Sequence, residues 1–258
     1  MKFEIREVEG QTEVEEVVRL QQEIWDLPLK DTMSPITLTA MLSRQPRTGL
    51  LLGGFHKGRM VAFCVGFGTM EPGVILGHML GVVEEFRDLG IGGDLLMRFF
   101  DVCRELGCKQ VYNTYEPLEG RNAHLYLNKW NACGVGYKKA YYAQTGINSG
   151  MPLDRLIIIF TLNEMQNGPD KLEPLSQILT RYPVATTGKM PEADKVLIEI
   201  PSDLRSLQIE DSNLVLTWRM ETRKLFDEYI NNRRMIARNL YSQEIDGLRR
   251  NFYLLSRA

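Results

Sequence analysis

Apolar and polar residues alternate or recur along the chain in a way that marks out a series of short elements. Lys2 to Arg6 alternates and predicts a strand, and Gln11 to Asp26 carries Val14, Val17, Val18, Gln21, Ile24 and Trp25 at helical spacing. Ser34 and Pro35 suit the N-cap and first turn of a second helix running to about Ser43. Leu50 to Phe55 and Met60 to Thr69 are apolar runs joined by the polar residues His56 to Arg59 with Gly58 among them, which predicts an antiparallel hairpin. Val74 to Val83 is a third apolar run. Ile91 to Leu106 then places Leu95, Leu96, Phe99, Phe100, Cys103 and Leu106 on one helical stripe, ended by Gly107. Cys108 to Asn113 reads as a strand, Asn122 to Trp130 as a helix and Asp154 to Leu162 as a strand. This mixed order belongs to an α+β fold, a partly antiparallel sheet with helices over its faces.

Asn163 to Pro191 holds four prolines and little periodicity, so residues 164–191 read as a connecting segment between a domain at 1–163 and a smaller C-terminal part at 192–258. In that last part Val196 to Pro201 is a strand, Ser212 to Asn232 a helix, and Met235 to Leu240 and Asn251 to Leu255 are strand candidates.

Composition narrows the class. A 44% apolar and 25% charged chain with a net charge of −2 is ordinary for a soluble globular protein and lacks the basic footprint of a nucleic-acid binder. Leu156 to Phe160 is far shorter than the roughly 20 residues that span a bilayer, and the amino terminus lacks the apolar core of a secretory signal. A cytoplasmic location without membrane contact is expected. Cys64, Cys103, Cys108 and Cys133 form no C-x-x-C pair and have no histidines at zinc-ligand spacing, so reduced thiols and no metal are expected.

Arg87-Asp88-Leu89-Gly90-Ile91-Gly92-Gly93-Asp94 lies between a strand and an amphipathic helix. The first turn of a helix has unpaired amide donors and the positive end of the dipole, and glycines admit a phosphate without a Cβ in the way. Neither the P-loop nor the dinucleotide fingerprint fits, because Gly92 is followed by Gly93, Asp94 and Leu95. What fits is R-x-x-G-x-G, and with the element order before it the chain resembles the GNAT superfamily of acyl-CoA-dependent N-acetyltransferases. The resemblance implies a GNAT fold with a mostly antiparallel central sheet and a smaller C-terminal α/β extension. It implies acetyl-CoA or another acyl-CoA as acyl donor, and a small-molecule or peptide amine as acceptor that attacks the thioester directly.

On that resemblance, Leu80, Gly81, Val82 and Val83 would line the thioester and pantetheine arm, and Arg87 to Asp94 would hold the pyrophosphate. His78 stands where many members carry a base, and its ordinary pKa suits proton removal near neutrality; a hydrogen-bonded core histidine is the plainer alternative. Tyr126 is the candidate acid, against a helix-face aromatic packed on the sheet. Asn122 is a helix cap or a cofactor contact. His124 with Arg121 and Asn122 makes a polar cluster that lines an acceptor pocket or simply starts a helix, and Asp154 with Arg155 reads as an ion pair at a strand end. The C-terminal helix and its two strands look similar to the corresponding part of a GNAT domain: a truncated second copy, an extension that adds strands to the first sheet, or an appendage that closes the acceptor pocket or forms an oligomer interface such as a homodimer's; with no second R-x-x-G-x-G there, one cofactor site is expected. An acyl-CoA sensor that has lost turnover is the competing function.

Overall fold

A computed structural model of the chain describes residues 1–42, 46–142, 151–163 and 172–257. Ser43, the expected end of the second helix, lies outside these residues, as do 164–171 of the expected connecting segment and Ala258. Contacts divide the chain into two compact units, which among the described residues are 1–113, and 114–142 with 151–257.

The first unit follows the hydrophobic pattern closely. Strand β1 (Glu4–Glu7) leads to helix α1 (Gly10–Trp25), then α2 (Pro35–Met41), whose N-cap Ser34 accepts a hydrogen bond from the Thr37 amide. Strands β2 (Gly49–His56), β3 (Arg59–Gly68) and β4 (Val74–Val82) form an antiparallel meander with β1 on its outer edge. Helix α3 (Ile91–Glu105) follows, and β5 (Gln110–Tyr115) returns parallel to β4. Along β3 side chains alternate between faces from Ala62 onward, and a bulge at Val61 resets the alternation before it, so Met60, Phe63 and Val65 all join the core under α1 and α2 with Val14, Val17 and Leu38. On the other face a Cβ at Gly66 would lie 2.5 Å from the Phe99 ring, so glycine there lets α3 settle on the sheet. With both faces covered, β2 and β3 read as continuous apolar runs. Each fully buried Leu or Phe on these faces contributes roughly 1.5–3 kcal/mol.

The second unit holds helix α4 (Gly120–Ala123), which continues as a π-helical turn His124–Lys129, then β6 (Cys133–Tyr142) and β7 (Leu153–Thr161). After α5 (Leu175–Arg181) come β8 (Lys195–Ile200), α6 (Leu204–Glu210) and α7 (Ser212–Phe226), which continues as a second π-helical turn Asp227–Asn232. Strands β9 (Met235–Ile245) and β10 (Leu248–Arg257) close the chain. The sheet order here is β7-β6-β9-β10-β8, with all neighbours antiparallel. Leu175 and Ile178 of α5 pack with Phe252 and Leu254, while Tyr253 between them meets Phe226 of α7 at 5.2 Å, so β10 too is covered on both faces.

This unit contains a repeat that the hydrophobic pattern does not announce. Each π-turn precedes a two-strand pair, and equivalent residues stand 103 positions apart (Asn128 and Asn231, Gly134 and Ala237, Tyr137 and Leu240). Asn128 donates to the Leu240 carbonyl at 2.7 Å and accepts from its amide at 2.9 Å. Asn231 does the same to Tyr137, at 2.8 and 3.1 Å. Gly134 pairs with Ala237, its own counterpart, across the β6–β9 seam. Even the left-handed residues after the turns match, Asn131 with φ 51° and Arg234 with φ 59°. The two halves are therefore related by a pseudo-twofold axis through that seam.

Three elements depart from the sequence expectation. β6 has no predicted counterpart, because Gly134, Gly136, Lys138 and Lys139 break its apolar alternation. A Cβ at Gly134 would sit 2.8 Å from the Ala237 Cβ, so the glycine that hides the strand is what allows the seam. Helices α5 and α6, seven residues each, are too short for periodicity to show.

Candidate active site

The loop Arg87–Asp94 becomes the entry to α3. Gly90 is the N-cap with φ 89°, a left-handed geometry that glycine adopts freely, and no side chain caps the helix. Gly93 and Asp94 amides bond back to the Gly90 carbonyl, whereas the amides of Leu89, Gly90, Ile91 and Gly92 have no partner among the described residues. A Cβ at Gly90 would meet nothing within 4 Å, and one at Gly92 only Val82 Cγ2 at 3.4 Å. Four free donors at a helix N-terminus thus face open space, with the positive end of the helix dipole behind them. Asp88 adopts φ 61°, so the acidic residue occupies a left-handed corner. Arg87 folds back, its Nε donating to the Val82 carbonyl at 3.2 Å, and so holds the turn that joins strand to helix.

β4 loses one neighbour as it approaches this loop. Among the described residues its parallel register with β5 covers Val74–Leu76, and from Gly77 onward its ladder runs on the β3 side. The Val83 amide donates to Val61 on that side, and the alternation of an antiparallel strand turns the amides of Leu80 and Val82 the other way, with Gly81 facing β3. Gly66 pairs with Gly77 and Val65 with Met79, which leaves His78 as the extra residue of a β-bulge. Bulges re-aim a side chain, and the His78 ring lies 5.3 Å from Phe67 with no hydrogen-bond partner among the described residues. Desolvation lowers its pKa, so the imidazole is neutral at pH 7 and able to accept a proton.

Tyr126 and Asn122 belong to the second unit. Tyr126 lies on the first π-turn, buried against Tyr115 at 5.4 Å and Phe160 at 5.9 Å. Asn122 is the third residue of α4 and does not cap it: Glu119 does, accepting from the Arg121 amide. His124 is exposed and contacts Asn128 at 3.0 Å. Asp154 and Arg155 are not partners through their side chains. Asp154 is fully buried and accepts from Arg223 at 2.6 and 2.8 Å, from Tyr137 and from the Ala140 amide, while Arg155 pairs with Glu116. Burial alone would raise the Asp154 pKa, but the bonds from Arg223, Tyr137 and Ala140 together hold it below the usual carboxylate value.

The pattern contained a hint of this cluster that hydrophobic periodicity passes over. Arg219 and Arg223 fall on the same stripe of α7 as the buried Val215, Thr222 and Phe226, and charges on a buried stripe require acidic partners elsewhere. Cys64 and Cys103 are buried, and desolvation pushes both thiols up, so they stay protonated. Among the described residues no helix is long and apolar enough to cross a membrane.

Residues 14–129 match a family model described as the acetyltransferase (GNAT) family. Among solved structures, the chain is similar to the ribosomal-protein-S18-alanine N-acetyltransferase from Escherichia coli, with 15% identity over 67% of this chain and 100% of that one, and a TM-score of 0.50. It is similar also to an acetyltransferase of the GNAT family from Streptococcus pneumoniae, with 14% identity over 61% of this chain and 98% of that one, and a TM-score of 0.50. No curated protein matches the chain in sequence. At these identities the structural likeness speaks for the fold alone: the fold is that of the GNAT acetyltransferases, and residues 14–129 match that family's model.

Proposed function

We propose that this chain moves an acyl group from acyl-CoA to an amine by direct attack. The observation that carries the reading is the uncapped N-terminus of α3, four free amides facing open space beside Gly90 and Gly92, at the end of a strand whose β5 side is unpaired. The donor, when bound, supplies an activated thioester carbonyl. Leu89 to Gly92 hold its diphosphate, with Arg87 fixing the turn and Asp88, Gly93 and Asp94 completing the loop. The outward amides of Leu80 and Val82 bond the pantetheine arm and steady the oxyanion, a preorganised role worth about 3–4 kcal/mol per donor. Gly81 and Val83 shape the same strand from behind.

His78 receives the proton that the amine loses as it bonds to the acyl carbon; desolvation lowers its pKa and so keeps it unprotonated at neutral pH. Tyr126 is the proposed donor to the departing sulfur. The acceptor is a small-molecule or peptide amine.

Two measurements test the reading. Gly92→Glu places a carboxylate in the phosphate space without a steric clash at Cβ, so CoA affinity by calorimetry falls about 100-fold or more while the urea midpoint holds. His78→Ala leaves CoA affinity unchanged and lowers thiol release from acetyl-CoA about 100-fold. Unchanged affinity in the glycine variant removes the site, and CoA binding without thiol release for any amine selects the sensor.

A further inference from the structure

The polar cluster of the second unit is unbalanced in charge, and the imbalance can be located. Arg223 and Asp154 neutralise one another through two short hydrogen bonds, and Tyr137 with the Ala140 amide occupies the rest of that carboxylate. Glu116 faces two guanidinium groups instead, Arg219 Nη2 at 2.5 Å and Arg155 Nη1 at 3.5 Å. One carboxylate between two cations leaves one positive charge. Arg219 is 1% exposed, where an uncompensated charge costs most, and its Nε and Nη1 are buried without a partner. Arg155 commits only Nη1, to Glu116 and to the Asp154 carbonyl at 2.8 Å, so its Nε and Nη2 are free among the described residues.

We propose that Arg219 and Arg155 bind the carboxylate of a small ligand; resting on the acyl-transfer reading, that ligand is the amine acceptor, which is then of the amino-acid class. A planar carboxylate matches the free Nε–Nη2 edge of the Arg155 guanidinium, and its single charge balances the single surplus, whereas a phosphate dianion overshoots it. The Arg155 and Glu116 side chains keep 19% and 20% exposure. The Tyr142 ring lies 5.1 Å from the Arg155 guanidinium and offers the ligand an apolar flank. Glu116 accepts from the Leu118 amide at 3.0 Å, which fixes the carboxylate between the two guanidinium groups.

The test uses the full chain with CoA present and matched probes: L-alanine, L-glutamate, L-lysine and L-phenylalanine, each against its α-carboxamide. Calorimetry is expected to show at least one acid binding about tenfold or more tighter than its amide, the scale of a lost charge-assisted bond. Arg155→Gln, at a partly exposed position, removes that preference with CoA affinity and urea midpoint unchanged. Arg219→Lys, which keeps the charge but not the fork, weakens the preference as well. The proposal is overturned if no acid binds more tightly than about 10 mM, if the preference survives in Arg155→Gln, or if inorganic phosphate competes as well as the acids do. Thiol release from acetyl-CoA is scored separately. Acid-selective binding without release leaves the carboxylate site standing and removes the transferase reading; release with acids and amides alike does the reverse.

Discussion

The two halves of the pseudo-symmetric sheet share a plan and almost no side chains. Between residues 122–137 and their counterparts 225–240 only Tyr126 and Tyr229, and Asn128 and Asn231, are the same residue type. Both asparagines sit on a π-turn and clamp the backbone of the opposite half. An amide side chain can donate and accept at once, as a strand's backbone does, so it satisfies both groups of one residue at the seam. The neighbours of the clamp have no such requirement and differ freely. What separates the halves is what leads into them. The first follows from the chain that carries the glycine loop; the second follows from α7, whose Arg219 and Arg223 meet Glu116 and Asp154 of the first.

The largest test of this comparison breaks the ionic link between halves. Asp154→Asn leaves Arg223 without its bidentate partner and is expected to cost about 3 kcal/mol in urea unfolding at pH 7. Because the folded pKa of Asp154 lies below its unfolded value, the wild-type contribution is present above about pH 4 and lost as pH falls through the folded value. The variant therefore shows a flatter acid limb. Equal acid sensitivity in both proteins would mean the pair is not what joins the halves.

The clamps come next. Asn128→Leu strands a buried amide and carbonyl and should cost about 2 kcal/mol, and Asn231→Leu about 1 kcal/mol because its bonds are only half-buried. If the seam is one cooperative feature, the double variant departs from additivity by about 0.5 kcal/mol or more. Additive, negligible losses would reduce the repeat to a coincidence of backbone. The seam contact itself is comparable to the weaker clamp. Gly134→Ala should cost about 1–2 kcal/mol by overpacking against Ala237, and adding Ala237→Gly, which moves the methyl to the other side of the axis, recovers at least half. No recovery would show that the two positions are not equivalent.

Much of the first unit was legible because each element there is amphipathic or wholly apolar and matches its own period. The α3 stripe, the Ser34 cap, the hairpin and the R-x-x-G-x-G loop are local statements, made by residues within a few positions of one another. The second unit was less legible, since its defining residues answer to partners about a hundred positions away. Gly134 looks like a strand breaker until Ala237 is beside it, and Arg219 looks like a solvated helix charge until Glu116 is.

The sequence by itself determined where helices and strands form in the first unit and that glycines line the start of α3, because propensity, periodicity and capping are short-range. Only the tertiary structure decided that His78 is the odd residue of a bulge, that Asn128 and Asn231 hold a two-fold seam, and that a guanidinium is buried with donors to spare. Those are matters of register, close approach and charge balance between distant segments, which a linear pattern does not encode.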